Sequence, residues 1–265
     1  MLLYKLIVSE NFVQKHTRRE NMETQNTARV GFYAAILTTL LTVITFGIAI
    51  MTPPLSGPYC TGGCFSYPFS DIASRFPRDY YWMYSAILLT LSYYVLMVAI
   101  HYFAPSNKMI FSHIGLSFAL ISTATLVIDY FLQVSVIQPS LLSGETDSIA
   151  LLSQFNGHGI FIALEEIGFF MMSLSLLFMA AVFAGKTRSE KAVRWLFIAC
   201  FALNALSLTL YSIFYGIHRE YRFEVATISI HWLTLIASGI LLSIVFRRAL
   251  TVPQTQKAGL FEQSA

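Results

Sequence analysis

The stretch Gly157–Ala184, "GHGIFIALEEIGFFMMSLSLLFMAAVFA", decides how this chain folds. It is long enough to cross a bilayer as a helix, because hydrocarbon roughly 30 Å thick needs about 20 apolar residues at a rise of about 1.5 Å each. It also holds two acids side by side, Glu165 and Glu166, in its apolar interior. The length sets the class of protein, and the acids raise the question of what it does.

Five other segments have the same character: Val30 to Met51, Tyr81 to Phe103, Met109 to Ile137, Trp195 to Ile217 and Val225 to Phe246. The whole chain agrees with them. Of 265 residues, 56% are hydrophobic and 12% charged, with a mean hydropathy of +0.63, whereas ordinary soluble domains carry about 25% charged residues. Lipid offers backbone amides no hydrogen-bond partner, so each segment is predicted to be a helix, and the runs are too long and uniformly apolar for barrel strands. The expected fold is all-α: a polytopic membrane protein built as a bundle of six transmembrane helices.

Lys and Arg set the expected orientation, since they are retained on the cytoplasmic side. With the N-terminus inside, thirteen of the seventeen basic residues fall on inner segments, and Arg75, Arg78, Arg219 and Arg222 fall outside. Both termini are therefore expected to be cytoplasmic. The chain divides into a tail over 1–28, a transmembrane domain over 29–248 and a second tail over 249–265. Residues 1–28 lack the apolar core and small-residue cleavage site of a signal peptide, and Met22 is an alternative start. The general look is that of a prokaryotic protein of the plasma (inner) membrane. The small net charge of +3 follows from topology and implies no nucleic-acid partner. The expected partners are membrane lipids and a small-molecule or ion ligand.

Cys60 and Cys64 sit in "PYCTGGCFSYPF", which the topology places outside. In an oxidising compartment two cysteines spaced by a flexible Thr-Gly-Gly can close a ring, so a disulfide is expected. Cys200 lies within the fifth span and reads as a small buried apolar residue. The aromatic run Tyr80, Tyr81 and Trp82 fits a headgroup-level belt. No phosphate-binding loop, nucleophile elbow, zinc-protease motif or internal repeat is present.

Polar residues inside the spans carry the functional reading. Ser122, Thr125, Asp129 and Gln133 share one face of the third span by their spacing, and Thr227, His231, Thr234 and Ser238 share one face of the sixth. Asn204, Ser207, Tyr211, Tyr215 and His218 form a third stripe on the fifth span. Asp129 and Glu165 lie about 12 Å inside the outer ends of their spans and His231 about 9 Å inside its own. A charge at mid-membrane costs roughly 2.5 to 3.5 kcal/mol on insertion scales. These acids must therefore pair, protonate, bind a cation or line water. The expected site is a pocket in the outer half of the bilayer formed by Asp129, Glu165, Glu166 and His231. His158, Gln133 and Tyr211 extend its lining.

Three readings follow from that site. The first is a ligand-, cation- or proton-linked pocket for transport or sensing. The second is an intramembrane enzyme acting on a lipid-like substrate, with a divalent metal held by Asp129, Glu165 and His231, since carboxylate and imidazole suit zinc or manganese. Against it, the chain has no paired histidine spacing. The third is a hydrogen-bonded network that glues helices together and binds nothing. Haem between His101 and His113 is disfavoured, because histidines at helix ends are usually solvated.

Overall fold

A computed structural model describes residues 2–251 except Pro53, Ser148, Ala184 and Lys186, with side chains described from Met22 onward, apart from those of Ser70 and Glu220. The expected tail beyond Thr251 lies outside the described residues. Six helices are long and apolar enough to cross a membrane, the property that marks an integral membrane protein. They are α1 (Leu2–Met51), α2 (Tyr81–Phe103), α3 (Met109–Leu132), α6 (Ile160–Met179), α7 (Arg188–Tyr215) and α8 (Glu220–Thr251). Two short helices, α4 (Gln138–Ser143) and α5 (Ile149–Leu152), lie between α3 and α6. No strand occurs among the described residues.

Helix limits follow local chemistry. Thr187 and Glu190 form a capping box at the start of α7, each side chain taking the other's backbone N–H at 3.3 Å. Gly144, at φ 77°, ends α4 in the left-handed conformation that favours glycine. The third span runs further than its apolar stretch, because α3 continues through a π-helical turn at Gln133–Ile137 into α4.

Each long helix packs on its neighbours in sequence, and α8 returns to pack on α1, closing a ring; α6 also reaches α2 and α8. Small residues allow the close crossings, as expected where lipid supplies no hydrophobic drive between helices. A Cβ on Gly168 of α6 would lie 2.6 Å from Leu126 of α3, and one on Gly115 of α3 would lie 3.0 Å from the Ser175 carbonyl. Gly31 meets the Phe246 ring and Gly239 meets Thr39, which runs α1 and α8 antiparallel. Thr38 and Ser92 join α1 to α2 through buried hydroxyls 2.8 Å apart.

The segments joining the helices fold over one end of the bundle. Leu55, Phe69, Ile72, Ile137, Leu141, Ile149 and Phe155 form a small core of their own there. Cys60 and Cys64 are joined by a disulfide with S–S 2.03 Å in the same region. This end is called the disulfide end below.

Candidate functional site

The buried acids gather at the disulfide end of α3, α6 and α8. Asp129 and Tyr130 are turned inward near the end of α3, and Glu165 lies on the α6 face that also carries Phe161, Gly168 and Phe169; all are buried. Tyr130 Oη donates to Glu165 Oε1 at 2.7 Å. The other Glu165 oxygen finds no ordinary donor. It belongs instead to a carboxyl group facing Glu224 of α8, close enough to share a hydrogen bond. Two carboxyl groups can share a hydrogen bond only if a proton lies between them. Asp129 is electrostatically coupled to both, and its Oδ2 has no hydrogen-bond partner.

Basic side chains at this end are committed elsewhere. Arg219 Nη2 pairs with Glu166 Oε2 at 2.6 Å. Arg78 Nε lies 2.7 Å from Asp79 Oδ1, and Arg75 Nε lies 3.9 Å from Asp79 Oδ2. Arg222 sits over the Tyr215 ring at 4.4 Å. Among the described residues, no ion pair reaches Asp129, Glu165 or Glu224. Glu165 and Glu166 thus separate by environment. Their directions differ by about 100° on the helix, so one enters the acid cluster and the other meets an arginine at the edge.

A cavity of about 420 Å³ opens beside the cluster, and Glu224 lines it. Its other walls come from α1, the ends of α2 and α6, α8 and the cap, and include Phe46, Asp79, Trp82, Gln154, Phe161 and Trp232. Tyr59, from the disulfide loop, lines it as well. Burial raises the Tyr59 phenol above its ordinary pKa, with Tyr211 adding and Arg222 opposing, so it presents a neutral hydroxyl. The cap is fastened across this opening. Tyr221 Oη donates to the Gln154 carbonyl at 3.0 Å and lies 2.8 Å from Ser56 Oγ, while Gln154 Nε2 donates to the Asp79 carbonyl at 3.3 Å.

The remaining predicted residues fall in four places. His231 is buried on α8, seven residues and about 10 Å of rise beyond Glu224. Its Nδ1–H donates to the Thr227 carbonyl at 2.7 Å, its ring packs 5.2 Å from Phe169, and its Nε2 is unpartnered. Thr227 donates to Asn204 Oδ1 at 2.7 Å, and Asn204 Nδ2 donates to Ser173 at 3.2 Å. His231 therefore heads a second polar layer that ties α6, α7 and α8 together. It is deeper than the acids because α8 starts at Glu220, five residues before the apolar run, while α6 starts three residues later than expected, at Ile160.

Gln133 secures the cap: its Nε2 donates to the Leu152 carbonyl at 2.6 Å, and its Oε1 accepts from the Gln154 N–H at 3.3 Å. His158 lies with its ring 6.3 Å from that of His218, beside a smaller cavity of about 180 Å³ that Glu166 and Arg219 also line. Tyr211 stacks near Tyr215 at 5.9 Å. Of the α7 polar stripe only Asn204 is buried, and Tyr215 and His218 are exposed. His101 Nδ1 lies 2.9 Å from Ser112 Oγ, and its ring is 5.7 Å from His113. Among the described residues, no group of three or more His, Cys, Asp or Glu is placed to hold a metal ion.

Glu224 and Asp79 are the site residues that sequence reasoning passed over. Both stand just outside the apolar runs and read as loop charges. Glu224 had a usable signal, since it precedes Thr227 by three and His231 by seven and so continues their stripe.

The chain matches no family model, no curated protein and no solved structure.

Proposed function

We propose that this is a plasma-membrane protein that binds a small ligand at its disulfide end and links that binding to a proton held among Glu165, Glu224 and Asp129. Glu224 carries the reading. It faces Glu165 within the buried acid cluster and also lines the open cavity. A carboxyl group removed from water and from every basic partner must hold a proton or meet a cation. A ligand arriving in the cavity can change which of these holds, and coupling of that kind serves transport and sensing alike. The excess of Lys and Arg on the opposite side supports an outward-facing cavity with both termini cytoplasmic. A metal-dependent enzyme is not favoured, because His231 stands about 10 Å of helical rise from Glu224 and bonds within its own layer.

Infrared spectroscopy of the purified protein tests this without any ligand. Wild type should show a carboxylic-acid carbonyl band whose intensity changes with pH. Its frequency should shift quickly on transfer to heavy water, and the titrating part should vanish in Glu224→Gln and Glu165→Gln. A band that neither titrates nor exchanges would make the cluster a closed, dry network and end the proposal.

A further inference from the structure

The cavity beside Glu224 is walled by aromatic rings from four helices. Phe46, Trp82, Phe161 and Trp232 come from α1, α2, α6 and α8 respectively. They hold one another edge to face: Phe46 and Trp232 at 5.4 Å, Trp82 and Trp232 at 6.3 Å, Trp82 and Phe161 at 6.5 Å. Rings fixed this way form a rigid box, and their faces attract a desolvated cation through the ring quadrupole.

Two carboxyl groups border the box. Asp79 is 1% exposed; Arg78 occupies its Oδ1, and its Oδ2 accepts no hydrogen bond but has Arg75 Nε 3.9 Å away. Glu224 faces Glu165, with Glu166 and Asp129 near enough to act on it electrostatically. Of the groups nearest those acids, Arg219 is held by Glu166 and the Tyr130 hydroxyl by Glu165. The lining thus joins an apolar ring-sized space to two carboxyl groups, Glu224 and Asp79, and contains no Lys, Arg or His.

From this we infer that the cavity binds a free protonated amine on an apolar, ring-sized body, with its N–H groups donated to Glu224 and Asp79 and its body held by the four rings. A volume of about 420 Å³ is in the range of small-molecule sites. The inference rests on the ligand-binding reading above and names the ligand's chemistry.

Trp82 and Trp232 report on the box directly once the third tryptophan is removed by Trp195→Phe. That protein, in phosphatidylcholine nanodiscs, would be titrated with 2-phenylethylamine, its neutral analogue propylbenzene and the anion 3-phenylpropanoate. The amine should give a saturable fluorescence change, with the other two at least about tenfold weaker. Glu224→Gln and Asp79→Asn should each weaken the amine by about tenfold in protein that remains helical by circular dichroism. If Glu224→Gln fails to fold, Asp79→Asn and the charge series decide. Equal binding of propylbenzene, tighter binding of the anion, no binding by the amine, or indifference to both substitutions overturns the amine. Phosphatidylethanolamine carries the same ammonium group, so nanodiscs of that lipid should leave amine binding unchanged. Competition from the lipid would assign the box to a headgroup and overturn the free ligand. Failure in any of these arms leaves the ligand-free infrared titration standing, and the two proposals therefore fail separately.

Discussion

Tyr130 makes the one hydrogen bond found, among the described residues, from a hydroxyl of this chain to the buried acid cluster, and removing it asks whether Glu165 matters as an acid. Its 2.7 Å length lies where ordinary hydroxyl bonds meet charge-assisted ones. Polar contacts between membrane helices average about 0.6 kcal/mol and reach about 1.7, and hydrogen bonds to charged groups contribute about 1.5 to 3 kcal/mol. Tyr130 and Glu165 are both buried, so water cannot replace the lost donor. Tyr130→Phe should destabilise the fold by about 1.5 to 3 kcal/mol. In a Glu165→Gln background the amide still accepts the hydroxyl, and the same substitution should cost only about 0.6 kcal/mol. The double-mutant cycle therefore isolates the part of the bond that needs an acid, about 1 to 2.4 kcal/mol, or roughly five- to sixtyfold in the folding equilibrium. Unfolding of the four purified proteins in mixed micelles of increasing dodecyl sulfate content, followed by circular dichroism, measures it. Additivity within about 0.3 kcal/mol would show that an amide serves as well as the acid, leaving Glu165 as helix glue.

Reporter fusions at residues 145 and 190 should report the outer and the cytoplasmic side respectively; a shared side would refute the proposed topology. Gly168→Ala should lose about 1 to 3 kcal/mol in micelle unfolding, because its Cβ would sit 2.6 Å from Leu126. Gly47→Ala, with nothing within 4 Å, should be neutral or gain up to about 1 kcal/mol. Maleimide-polyethylene glycol labelling of the denatured protein should add one mass increment before reduction, at Cys200, and three after it, since Cys60 and Cys64 are joined.

The six spans were legible in the sequence because a run of about 20 apolar residues has few other stable states, and the structure carries a long helix over each. The cysteine ring was legible because two thiols four residues apart in a glycine-rich loop reach each other locally. The inward faces of α3 and α8 could be read from spacing alone: Ser122, Asp129 and Gln133 are buried, as are Thr227, His231 and Ser238. Which residues meet across helices was decided by tertiary structure. The α7 stripe, equally regular in sequence, buries only Asn204. Lipid and protein interior are similarly apolar, so hydropathy locates a helix in the membrane without telling which side faces its neighbours. Glu224 was hidden for the opposite reason. A charge at the edge of an apolar run looks like the end of a helix, yet α8 continues past it and packing against α6 brings Glu224 to Glu165. Depth along one helix is a local property of the chain; the partner at that depth is set by how six helices close into a ring.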